Sequence, residues 1–115
     1  MPNDTKASDK EKRLNLCGIQ LRRIRLEQNM TLADLQAGLE IEYGIALDRT
    51  NLGRIENGER TVTDVELAVL AHLLGVSVER LLWGDTVPDA TEIVEALKKV
   101  KVRYAERRPS QGQNT

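Results

Sequence analysis

A chain of 115 residues is expected to form one domain with tails around one modest hydrophobic core. Its formal net charge of −1 argues against a protein that coats polyanions wholesale, although a local basic patch can still attract nucleic acid. One cysteine and one histidine exclude an intramolecular disulfide and leave no ligand set for a zinc site, and a single Trp, two Tyr and no Phe make the core aliphatic.

Residues 1–12 are polar and read as a flexible tail. They lack an apolar signal-like stretch, and no apolar run approaches the length of a membrane span, so a soluble, cytoplasmic protein is expected. A first helix is expected from Arg13 to Gln28, with Leu14, Cys17, Leu21 and Ile24 on one face. Leu16, Ile19 and Leu26 lie off that face and suggest cover on a second side. Arg22, Arg23 and Arg25 suit the negative end of the helix dipole, and Asn29 closes the segment.

Thr31 to Gly58 is the stretch around which the chain is organised. Thr31 with Asp34 has capping-box spacing, and Leu32, Leu35 and Leu39 follow at helical intervals. After a turn containing Gly44, Asp48 caps a second helix with Leu52 and Ile55 on its inner face, stopped at Asn57-Gly58. Two short helices around a turn let one lie across a DNA backbone while the next enters the major groove. Arg49, Thr50, Asn51 and Arg54 are expected on the outward face of the second helix, with the two arginines sharing that face. All four can donate hydrogen bonds and none is acidic.

Thr63 with Glu66 opens a further helix carrying Val65, Leu67, Leu70, Ala71 and Leu74, ended by Gly75. Ser77 caps a short fifth helix with Val78, Leu81, Leu82 and Trp83, ended by Gly84. Asp85 to Pro88 is a linker. Asp89 with Glu92 opens a last helix whose narrow stripe is Ile93, Leu97, Val100 and Tyr104, running from acidic to basic until Pro109. That stripe is expected to be covered either by Leu16, Ile19 and Leu26 of the same chain or by a second chain. The organisation expected is therefore a flexible tail at 1–12, a helix-turn-helix domain at 13–84, a linker and amphipathic helix at 85–108, and a flexible tail at 109–115. The fold class is all-α, a compact five-helix bundle plus a C-terminal helix.

Four pieces, GIQLRRIR (18–25), MTLADL (30–35), NLGRIENGER (51–60) and LAHLLGVSVERLL (70–82), occur in this order. Together they resemble the Xre/Cro (lambda-repressor-like) helix-turn-helix regulators from about Cys17 to Gly84. The resemblance implies a lambda-repressor-like DNA-binding bundle whose recognition helix is Arg49 to Glu56. It implies that Arg49, Thr50 and Arg54 contact bases, with Asn51, Asn57 and the loop that carries Arg60 placed at the phosphate backbone. It also implies an internal ion pair between Arg25 and Glu56. Three features depart from the family pattern. The turn between the central helices is longer, so the first of them should reach about Tyr43. Leu32 and Ala33 stand where a polar residue often touches DNA, and Gln36 stands near a position usually filled by a small residue.

The reading is a sequence-specific regulator of transcription that binds double-stranded DNA, a repressor working as a homodimer. No catalytic residue, metal or cofactor is expected, because the sequence offers no nucleophile–base pair, metal cluster or phosphate loop. The alternative is a protein-interaction module, such as the antitoxin-like partner of another protein, with the last helix as its docking element. The sequence leaves the operator and any small-molecule effector unknown.

Overall fold

A computed structural model describes residues 12–101. Among these residues there are six helices and no strand. They are α1 (Gly18–Glu27), α2 (Leu32–Tyr43), α3 (Arg49–Glu56), α4 (Asp64–Leu74), α5 (Val78–Trp83) and α6 (Ala90–Leu97). Helices α1–α5 form the bundle, with α3 packed on both α1 and α2, α4 closing the far side of α2, and α5 wedged between α1 and α4.

Local chemistry sets most of the boundaries. The Thr31 hydroxyl accepts from Asp34 N–H at 3.0 Å while the Asp34 carboxylate accepts from Thr31 N–H at 2.9 Å. Thr63 with Glu66 and Asp89 with Glu92 repeat this reciprocal cap, and Ser77 caps α5 from its side chain. Gly44 and Gly75 end α2 and α4 with φ of +66° and +72°, the left-handed conformation that residues with a Cβ resist.

The core is a single aliphatic cluster. Leu21 and Ile24 of α1 meet Leu35 and Leu39 of α2, Leu52 and Ile55 of α3, Leu70 and Leu74 of α4, and Leu81 of α5. Leu47, in the turn before α3, plugs the cluster from the side. Cys17 is buried among them, which pushes its thiol up to about 11, so it stays protonated and unreactive near neutral pH. Val65 and Val78, expected among the apolar residues of their helices, face solvent instead.

Two boundaries differ from expectation. The first helix begins at Gly18 rather than Arg13, because the preceding backbone is committed to partners elsewhere in the fold. Arg13 N–H donates to Lys99 O, Arg13 O accepts from Lys101 N–H, and Leu14 N–H donates to Gly58 O. Asn15 Oδ1 then accepts from Gly18 N–H at 2.8 Å and launches the helix. At the other end, α6 stops at Leu97 instead of continuing to Pro109. Residues 98–101 turn back, and Val100 makes an isolated parallel bridge with Arg13.

The stripe on α6 is only partly covered. Ile93 and Val100 are half-buried, Leu97 is 41% exposed, and Tyr104 lies outside the described residues. Ala96 and Val100 face Leu16, Ile19, Leu82 and Trp83 across a cleft of about 210 Å³. Leu26, expected beneath the same stripe, instead lies half-exposed beside α2 and α3.

Candidate nucleic-acid interface

Helix α3 is gripped at both ends and along its back. At its start, the Asp48 carboxylate accepts from Asn51 N–H at 2.8 Å, and Gln36 Oε1 accepts from Arg49 N–H at 3.2 Å. Two first-turn amides without partners inside the helix are thereby satisfied. Gln36, at a position the resemblance marks as small, works here as a second cap.

Along its back, Leu52 and Ile55 are fully buried and Glu56 is buried beside them. Arg25 Nε donates to Glu56 Oε2 at 2.7 Å and Nη2 donates to Oε1 at 2.9 Å. The third arm of the fork, Nη1, donates to Met30 O at 2.8 Å. This hydrogen bonding to Glu56 raises the Arg25 pKa above its ordinary value, against the opposing effect of burial. The planar guanidinium thus ties α1, the α1–α2 loop and α3 at one point.

At the C-terminal end, Asn57 caps the helix and Gly58, at φ +77°, turns the chain. Glu59 N–H donates back to Arg54 O at 2.8 Å. Asn15 Nδ2 donates to Ile55 O at 3.0 Å and to Arg60 O at 2.8 Å, and Arg13 Nη2 donates to Glu56 O at 2.7 Å. Sequence reasoning missed Arg13 and Asn15, and named Gln36 only as a departure from the family pattern, not as a cap. The only signal was Asn15 three residues before Gly18, a spacing that suits a helix start.

What remains of α3 faces outward. Arg49, Thr50, Arg54 and Asn57 are exposed, while Asn51 is half-buried with Nδ2 at 3.2 Å from Asp48 Oδ1. The expectation that Arg49 and Arg54 share one face needs correction. Five residues at about 100° each place them about 140° apart around the helix. Thr50, Arg54 and Asn57, at intervals of four and three, form the straight outward stripe. Arg49 turns toward α2, where with Thr50, Thr31, Leu32 and Ala33 it lines an open groove of about 750 Å³. The positive dipole end of α2 opens onto that groove.

Arg60 is half-buried and already held. Its Nη1 and Nη2 each donate to a Glu66 carboxylate oxygen at 2.9 Å, and Nη1 also donates to Thr61 O at 3.0 Å. This contact raises the Arg60 pKa and lowers that of Glu66.

The helix-turn-helix family model matches residues 21–81, more than half of the chain and all of α2 and α3. The chain belongs to the Xre/lambda-repressor-like helix-turn-helix family. Comparison with curated proteins and with solved structures gives no match. This is a family of DNA-binding regulators. The matched span takes in α2 and α3, which are joined by a five-residue connection, Gly44 to Asp48. None of the described helices is long and apolar enough to cross a membrane, and no group of three metal-ligating side chains occurs among the described residues.

Proposed function

We propose that this protein is a sequence-specific regulator of transcription that binds double-stranded DNA by inserting α3 into the major groove. The single observation that carries the reading is the asymmetry of α3. Its back and both ends are locked by buried or paired groups, and its outer face presents only uncharged or cationic donors. A rigid helix bearing exposed donors is what reading base edges requires, because each contact then loses little conformational entropy.

Thr50 and Arg54 test base edges along the outward stripe, and Arg49 does so from the groove beside α2. Asn51, Asn57 and Arg60 serve the phosphate backbone, together with the Leu32 and Ala33 amides in the first turn of α2. Those amides take over the anchoring that Leu32 and Ala33 side chains cannot provide. The pair Arg25–Glu56 has a structural role beneath this surface. No catalytic step, metal or cofactor enters. The protein acts in the cytoplasm as a repressor, by occupying its operator.

A single copy presents few base contacts, so the working form is a homodimer on a two-fold site. Val94, 54% exposed, and Leu97 on α6, with Ile19 on α1, supply apolar surface for that association. The same surface keeps a second reading open, in which α6 docks another protein in the manner of an antitoxin.

Selection of binding sites from random duplex DNA tests the proposal. The expected result is an enriched two-fold motif with half-sites about one helical turn apart. Salt-sensitive binding without any enriched sequence would contradict base reading, and no binding at all would favour the docking module.

A further inference from the structure

Arg13 stands where three parts of the chain meet. Its backbone N–H donates to Lys99 O at 3.0 Å, and its carbonyl accepts from Lys101 N–H at 2.8 Å. Its side chain reaches the C-terminal end of α3, donating to Glu56 O at 2.7 Å. That end carries the negative pole of the helix dipole, which favours a cation. On either side, Leu14 N–H donates to Gly58 O at 2.8 Å and Asn15 Nδ2 donates to Ile55 O at 3.0 Å.

The fit is close. A Cβ on Gly58 would come within 2.8 Å of the Arg13 side chain, and a Cβ on Gly18 would overlap the Ile55 carbonyl. Arg13 Nε is buried without a partner among the described residues, and burial lowers the pKa of the guanidinium. A cation so desolvated is stabilised by the α3 carbonyls, so displacement of the Arg13 backbone is resisted at the helix end itself. A single residue thus separates the segment after α6 from the helix that faces DNA.

We infer that residues 99–101 brace the reading helix through Arg13, which acts as a positioning residue for the contacts made by the end of α3 and by Asn57. The inference rests on the DNA-reading role given to α3 above. The segment after α6 fixes the Arg13 backbone, and the Arg13 side chain fixes how the end of α3 and the following loop are presented. Linkage makes the effect reciprocal: DNA bound to α3 stabilises the backbone hydrogen bonds of Arg13 with Lys99 and Lys101.

Full-length variants test the brace. Lys101→Pro removes the N–H that donates to Arg13 O and leaves every core residue in place. Arg13→Gln removes the cation from the end of α3, and Arg13→Lys restores the charge without the fork. Amide hydrogen exchange is followed at Leu14, Asn57, Gly58 and Glu59, with Leu39 and Leu70 as core references. Affinity is measured for a duplex recovered by site selection.

For Lys101→Pro the four amides should exchange faster while the references hold, and affinity should fall on the order of fivefold, a typical size for coupling through such a contact. Arg13→Gln should fall further and Arg13→Lys should recover part of the loss. Should Arg13→Gln loosen the whole core, Lys101→Pro decides the matter. Unchanged exchange at the four amides in Lys101→Pro overturns the brace, as does altered exchange with unaltered affinity. A wild-type chain that binds no duplex while the four amides respond would sink the DNA reading and leave the coupling from 99–101 to α3 established.

Discussion

The Arg25 guanidinium and the Glu56 carboxylate meet in a two-pronged contact of 2.7 and 2.9 Å, with side chains only 8% and 2% exposed. Both charges have left water, so their attraction is opposed by a large desolvation cost. The net value of the pair is small compared with the cost of breaking it. Its consequence is geometric: the back of α3 is pinned to α1 at one rotation.

The first prediction follows. Glu56→Ala strands the Arg25 cation in the core and should destabilise the fold by about 3–5 kcal/mol in urea unfolding. The double variant Arg25→Met, Glu56→Leu removes both charges and should recover most of that loss. If the double variant is no more stable than Glu56→Ala alone, the stranded charge is not what the single substitution exposes.

A second expectation concerns acid. Arg60 holds the Glu66 carboxyl below its ordinary value near 4.5. A group whose pKa is depressed on folding contributes stability that is present above the unfolded value and is lost as pH falls through the folded one. Stability should therefore decline below about pH 4.5, and Glu66→Gln should flatten that limb. Denaturation midpoints measured from pH 7 down to pH 3 read this directly. An acid limb identical in wild type and Glu66→Gln would show that other carboxylates govern it.

The caps and stops were legible because each is written within four residues of sequence. Thr31, Asp48, Thr63, Ser77 and Asp89 all cap helices through their side chains, and Gly44 and Gly75 end theirs. The segment before Gly18 was not legible for the opposite reason. Leu14 and Cys17 continue the helical spacing of Leu21 and Ile24, while the partners that hold Arg13 and Asn15 out of a helix lie more than forty residues away. The end of α6 misled in the same way, since its charge gradient runs on past the point where Lys101 turns back to Arg13. In the candidate interface, residue type and spacing marked Arg49, Thr50 and Arg54 as exposed, but not that Arg49 points away from the Arg54 stripe or that Asn51 is half-buried. The partner of Arg60 was visible only as the capping residue Glu66, whose carboxylate serves Thr63 and Arg60 together.

Two glycines give opposite predictions. A Cβ on Gly18 would run into the Ile55 carbonyl, part of the backbone of α3, so Gly18→Ala should cost a few kcal/mol through strain or lost packing. A Cβ on Gly53 would meet only Leu32 Cδ1, at an ordinary 3.7 Å. Gly53→Ala should therefore stabilise the fold by up to about 1 kcal/mol through helix propensity. If DNA approaches the backbone of α3 closely, the same variant should bind more weakly while melting higher. A variant that gains stability with no change in binding would show that the position is merely tolerated.

The last prediction separates reading from anchoring. Arg54 is exposed on the outward stripe one helical turn from Thr50, and its fork matches the paired acceptors of guanine. Arg54→Ala should narrow the gap between a selected operator and random duplex by about 1–3 kcal/mol. Arg60 is different, because Glu66 already holds both of its terminal nitrogens. Its field at a phosphate is partly cancelled, so Arg60→Ala should weaken operator and random DNA alike and reduce the salt dependence by no more than about one phosphate contact. Glu66→Gln then provides a check in the opposite direction. Relieved of its counter-charge, Arg60 should bind phosphate better, and affinity for both duplexes should rise at low salt. Titrations of both duplexes over a salt series distinguish these outcomes. Equal loss on both duplexes for Arg54→Ala, with relaxed specificity for Arg60→Ala, would mean that the loop after α3 lies in the groove and the outward stripe lies on the backbone.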